Sequence, residues 1–138
     1  MKKLTLLLLL LMVSTNVFSK WTKIGGNDEV TSYIDFESIQ KEGHKLLAWV
    51  LGNKVKVWML NDYKLSQIQI NGMKYYSDIV HYEFDCEKDS QLVLSAKGFS
   101  GHIGLGELMS SVGVSNATEE IVPGTISEIR YKIACDKK

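Results

Sequence analysis

"HYEFDC", residues 81–86, reads as a strand that halts at a cysteine. Val80, Tyr82, Phe84 and Cys86 fall on one side of a pleated backbone, and Ile79, His81, Glu83 and Asp85 on the other. The first set is the more apolar and is the expected buried face. The only other cysteine, Cys135, lies 49 positions downstream. Whether the two pair depends on the compartment, and the start of the chain addresses that.

"MKK" is a charged opening, and "LTLLLLLLMV" (4–13) is an apolar run too short to span a bilayer comfortably. "STNVFS" follows, with Val17 at −3 and Ser19 at −1 of a cleavage point before Lys20. This order predicts a secretory signal peptide over residues 1–19 and a single domain over 20–138; the competing reading is an uncleaved N-terminal anchor. No cysteine follows the apolar run, so lipid anchoring is not expected. Nor does any later stretch approach the roughly eighteen apolar residues of a membrane helix. In an oxidising compartment two cysteines and no others are expected to join, so Cys86–Cys135 is the predicted disulfide. Closing a loop of that length restricts the unfolded chain by about 4 kcal/mol. A CxxC redox pair is absent, and neither cysteine has the neighbouring ligands zinc needs.

Composition narrows the function classes. The chain is 45% hydrophobic and 23% charged, with sixteen basic residues against sixteen acidic ones, as in an ordinary globular domain. Loss of Lys2 and Lys3 with the signal peptide leaves a slight acidic excess over the remaining 119 residues. Without a concentrated basic face, nucleic acid is not an expected partner.

Outward from "HYEFDC" the pattern is mostly that of strands. "WTKI" (21–24) and "TSYIDF" (31–36) flank the turn-forming "GGND", and "SIQKEG" fits a short helical turn ended by Gly43. "LLAWV" and "KVKVWML" alternate on either side of Gly52-Asn53, which predicts a hairpin. Asn71-Gly72 predicts a second. "SQLVLSAKGF" and "ELMSSVGV" are strands around the glycine-rich "SGHIGLG". The C-terminus fits two patterns. Ile129, Tyr131, Ile133 and Cys135 alternate like a strand, yet Ile126, Ile129 and Ile133 share a helical face. "TISE" has the form of a capping box with Thr125 as N-cap and Glu128 at N3, which favours the helix.

No catalytic constellation emerges. "GFSGHIGLGE" (98–107) has neither the Lys-Ser/Thr of a phosphate loop nor GxGxxG spacing, and Ser100 lacks the spacing of a nucleophile elbow. His44, His81 and His102 sit in three separate segments with no metal-ligand spacing, His81 on the solvent face of its strand and the others in loops. Asp28-Glu29 and Glu119-Glu120 read as solvated loops, and no general acid faces a base. Asn116-Ala117-Thr118 is a formal glycosylation acceptor. Neither a cofactor nor an enzymatic activity is expected.

The order of motifs resembles one family. Val57-Trp58 with Leu60 and Asp62, Tyr75 with Ser77, Glu83 to Cys86, Gly101 to Glu107 and Pro123 to Cys135 are similar to the pattern of the surface-adhesin protein E family, as is "SYIDFESI" (32–39). The resemblance covers about residues 20–136. It implies an α+β fold, an antiparallel sheet of about six strands with a C-terminal helix tethered to it by the disulfide. It further implies a non-enzymatic exported protein that binds host extracellular-matrix proteins such as vitronectin and laminin, with haem binding and homodimers as further features. "LLAWVLGNK" (46–54) is extra relative to that pattern, and no ligand-binding residues map onto this chain. The location expected is periplasmic or at the cell surface, without a lipid anchor; a periplasmic envelope protein with no role in adhesion is the alternative.

Overall fold

The computed structural model describes residues 20–42, 53–69 and 71–138. The predicted signal peptide, Gly43, His44 and the "LLAWV" half of the first predicted hairpin lie outside the described residues.

Among the described residues the chain forms one antiparallel sheet and one α-helix. The strands are β1 (Thr22–Gly26), β2 (Val30–Ile34), β3 (Gln40–Glu42), β4 (Lys54–Ile68), β5 (Lys74–Asp85), β6 (Ser90–Phe99), β7 (Leu108–Val112) and β8 (Glu119–Glu120). Helix α1 covers Ile126–Ala134. Six strands follow the order β1-β2-β4-β5-β6-β7, while β3 pairs with the start of β4 and β8 with the start of β6. The sheet thus has eight strands rather than about six. The two additions are only three and two residues long, too short to leave an alternating pattern in sequence.

The long β4–β5 hairpin is the backbone of the fold. Its register runs from Lys54↔Asp85 to Ile68↔Lys74, with an irregularity between Asp62 and Gln67. The turn closes through the Gln69 amide, which donates to the Met73 carbonyl, and Gly72 sits at φ 78, which favours glycine. The alternation anticipated around "HYEFDC" holds. Val80, Tyr82, Phe84 and Cys86 are buried with Val55, Val57, Met59, Ile34, Tyr131 and Ala134, and α1 covers this face. At about 25 cal/mol per Å² of apolar surface removed from water, that layer is the main stabilising term.

Local chemistry accounts for three departures from expectation. The turn predicted over "SIQKEG" falls earlier, as a 3₁₀ turn at Phe36–Ser38 begun by the Asp35 side chain, which accepts from the Glu37 amide. Gln40–Glu42 then pairs with β4 as a strand. Thr125 is the N-cap of α1 as expected, but the box does not close: its hydroxyl donates to the Val122 carbonyl instead of capping the helix. Glu119-Glu120, expected as loop, pairs with Ser90 and Gln91 yet stays exposed.

Candidate functional site

The described residues divide into a stapled end, a covered face, an open face and a hairpin end, each built from different chemistry. At the stapled end, Cys86 closes β5 and Cys135 caps α1, and the two form a disulfide with their Cα atoms 5.7 Å apart. A polar latch surrounds it. Lys137 Nζ donates to the Cys86 carbonyl at 2.7 Å and to the Tyr131 hydroxyl at 2.6 Å, and Tyr131 donates to the Asp89 carboxylate. The hydrogen bonds from Tyr131 and Lys137 hold the Asp89 carboxyl below the usual carboxylate range. This cluster orders the chain terminus.

Beneath α1 lies a buried polar network that the sequence reading did not single out. Arg130 enters the core face, where its guanidinium donates to Ser32 Oγ at 3.0 Å and to Asn61 Oδ1, and lies 5.6 Å above the Tyr82 ring. Asn61 Nδ2 passes the chain on to Asp78 Oδ1 at 2.8 Å, and Tyr63 donates to Asp78 Oδ2 at 2.9 Å. Burial pushes the Asp78 carboxyl upward against the opposing pull of Asn61, Tyr63 and Arg130, and burial beside Asp78 pushes the Tyr63 phenol up as well. A signal for this existed. Carried back two residues, the alternation that buries Val80 puts position 78 on the same face, where it is half-buried and an aspartate needs a donor.

The opposite face bears the Trp58–His81 pair, cross-strand neighbours whose rings stack 4.3 Å apart and nearly parallel. His81 is therefore packed rather than freely solvated. Partial burial, then nearby Lys56, lowers its pKa against the pull of Glu83. Lys54 and Lys56 flank Glu83 at 3.4 and 3.9 Å, leaving that carboxylate neutralised.

At the hairpin end the glycine-rich segment folds back onto the sheet. Ser77, fully buried, donates to the Gly101 carbonyl and accepts from the Gly104 amide. Asp62 Oδ1 accepts from the Ile103 amide at 3.0 Å and lies 2.9 Å from His102 Nδ1. Gly104 approaches Ile79 and Leu60 so closely that a Cβ would sit 3.1 Å from Ile79, and its φ of 70 also favours glycine. Ile103 takes φ 56, an outlier for a β-branched side chain that these contacts hold in place. Ser100 Oγ accepts from the Glu107 amide and so helps close the turn. His102 packs beside Tyr76, with ring centroids 5.0 Å apart, and shares no site with His81.

The result is a firmly pinned loop that presents apolar side chains. Ile103 and Leu105 on the loop, Leu65, Ile68 and Met73 on the hairpin and Leu108 at the start of β7 are all exposed, Leu65 and Leu105 by more than two-thirds. Among the described residues no group of three or more His, Cys, Asp or Glu could hold a metal ion, and no helix is long and apolar enough to cross a membrane.

The comparisons with known proteins agree with this architecture. Crystal form II of Haemophilus influenzae protein E matches over 88% of this chain and 91% of its own, with a TM-score of 0.63 at 16% identity. A second structure of Haemophilus influenzae protein E has a TM-score of 0.61 with 88% of each chain covered, again at 16% identity. Protein E from non-typeable Haemophilus influenzae has a TM-score of 0.56 at the same identity, covering 88% of this chain and 79% of that one. No curated protein matches the chain. The family model for surface-adhesin protein E matches residues 21–136, nearly everything after the predicted signal peptide, and the chain belongs to that family.

Proposed function

We propose that this chain is an exported, non-enzymatic binding protein that recognises a host extracellular-matrix protein such as laminin through its hairpin end. The observation that carries the reading is the contrast within that end. A loop held by Ser77 and Asp62 at the cost of a left-handed isoleucine exposes Ile103 and Leu105 at the same end of the sheet as the exposed Leu65, Ile68 and Met73. Rigid presentation of apolar side chains lowers the ordering cost of association. Exposed apolar groups that gather at one end mark an interaction surface more than singly scattered ones do. Among the described residues no nucleophile–base pair accompanies them: His102 is turned onto Asp62, and Ser100 and Ser77 are bonded to backbone. The alternative, a periplasmic envelope protein outside adhesion, draws on the lack of a cysteine after the N-terminal apolar run.

Protease treatment of intact cells separates the two. Digestion without opening the outer membrane is the expected result, and protection until it is opened would favour the periplasmic alternative. The companion measurement is binding of purified residues 20–138 to immobilised laminin. Replacing Leu65 and Ile68 together by serine is expected to weaken binding about tenfold, equivalent to about 1.4 kcal/mol.

A further inference from the structure

Sulfur chemistry sets the hairpin end apart from the rest of the chain. After the predicted signal peptide the sulfur atoms belong to Cys86, Cys135, Met59, Met73 and Met109. The two cysteines are joined to each other, so neither is a thiol. Met59 is fully buried in the core, and Met109 in β7 is half-buried. Of the three methionines only Met73 is exposed, by 46%, and it stands in the turn at the hairpin tip. Gln69, which directly follows the exposed Ile68, donates its amide to the Met73 carbonyl. The Gly72 amide donates to the Gln69 carbonyl, and the Met73 amide to Asn71 Oδ1 at 3.0 Å. These bonds use backbone and side-chain amide groups and not the thioether, so chemistry at the sulfur breaks none of them.

Oxidation converts a methionine from a flexible apolar side chain into a polar sulfoxide, and access to the sulfur governs where it happens. We propose that Met73 is an oxidation site through which hydrogen peroxide switches off the apolar hairpin end. The sulfur lone pair attacks one peroxide oxygen as the O–O bond breaks. An S–O bond forms, and the departing hydroxide takes up the proton left on that oxygen to give water. Sulfur is oxidised by two electrons, and the peroxide is reduced. The new oxygen accepts hydrogen bonds, so burying it against an apolar partner that offers no donor carries a penalty the thioether does not. Leu65, Ile68, Ile103 and Leu105 are hydrocarbon side chains, which leaves Met73 to set the response of this surface. The inference rests on the reading of the hairpin end as a recognition surface and adds how that surface is regulated.

The test treats residues 20–138 with hydrogen peroxide and follows oxygen uptake by peptide mass spectrometry. Met73 should gain its oxygen ahead of Met109 and well ahead of Met59, with an unchanged melting temperature. Laminin binding should fall about tenfold in step with Met73 oxidation and return on treatment with methionine sulfoxide reductases. Met73→Leu, whatever affinity it starts from, should lose none on treatment, and Met109→Leu should respond like the unsubstituted chain. Hydrophobic-interaction chromatography reads the same surface without laminin: the oxidised chain should elute earlier, and Met73→Leu should not shift. Oxidation of Met109 or Met59 first, binding or retention unchanged at full Met73 oxidation, or an equal loss in Met73→Leu would each overturn the inference. If the untreated chain does not bind laminin and the shift in retention is still seen, the proposed matrix ligand falls alone.

Discussion

The stapled end and the hairpin end of this sheet use polar groups for opposite purposes. At the stapled end the disulfide, Tyr131, Asp89 and Lys137 tie a chain terminus down, and the apolar groups beneath, Phe84 and Ala134, are out of solvent. At the hairpin end Ser77 and Asp62 tie down a loop, and what that loop carries, Ile103 and Leu105, faces water. Both ends are held. Only one presents exposed apolar side chains, and the proposed recognition surface rests on that difference.

The sharpest way to break the comparison is to cut the staple. Cys86→Ala with Cys135→Ala should lower stability by about 4 kcal/mol in the chain-entropy account of the 49-residue separation. Laminin binding per folded molecule should persist. An unchanged melting temperature would show that the disulfide adds nothing to the polar latch. Next in size is Arg130→Leu, which removes a donor to Asn61 and the cation near Asp78 and should cost about 3 kcal/mol, read by urea unfolding. A loss below about 0.5 kcal/mol would show that the network beneath α1 is solvated.

A smaller effect comes from acid titration. Asp78 is pushed above its ordinary 3.8, so between that value and its folded pKa the native state holds a proton that the unfolded chain has released. Stability from this group is therefore present below 3.8 and declines as pH rises through the folded value, the reverse of a salt-bridged carboxylate. Asp78→Asn should flatten that part of the stability–pH curve, and an identical slope in the variant would assign it to other groups. Smallest of all should be the change in stability on replacing Leu65 and Ile68 by serine, within about 0.5 kcal/mol, because both are exposed.

How far the sequence could be read follows the same division. "HYEFDC" announced its buried face and Asn71-Gly72 the β4–β5 hairpin because a period of two and an Asn-Gly turn are local signals, while the Cys86 partner followed from the chain having only two cysteines and an expected export signal. The capping pattern located α1 although its cap hydrogen bond is not made, since the helix is secured by packing and the disulfide. The hairpin end was less legible. "SGHIGLG" reads as a turn, but nothing local shows that Ser77 and Asp62, 24 and 41 residues from their loop partners, hold it against the sheet. Arg130, 69 positions from Asn61, is invisible for the same reason. Exposed leucines at 65 and 105 look like core residues in a pattern, and only the fold shows them uncovered.

The most direct test of the account is an amide-exchange footprint of laminin on residues 20–138. It should protect the hairpin tip around Leu65, Ile68 and Met73 and the loop at 102–105, leaving Cys86 to Asp89 and α1 unchanged. A footprint centred on α1 and the disulfide, or none at saturating laminin, would contradict it.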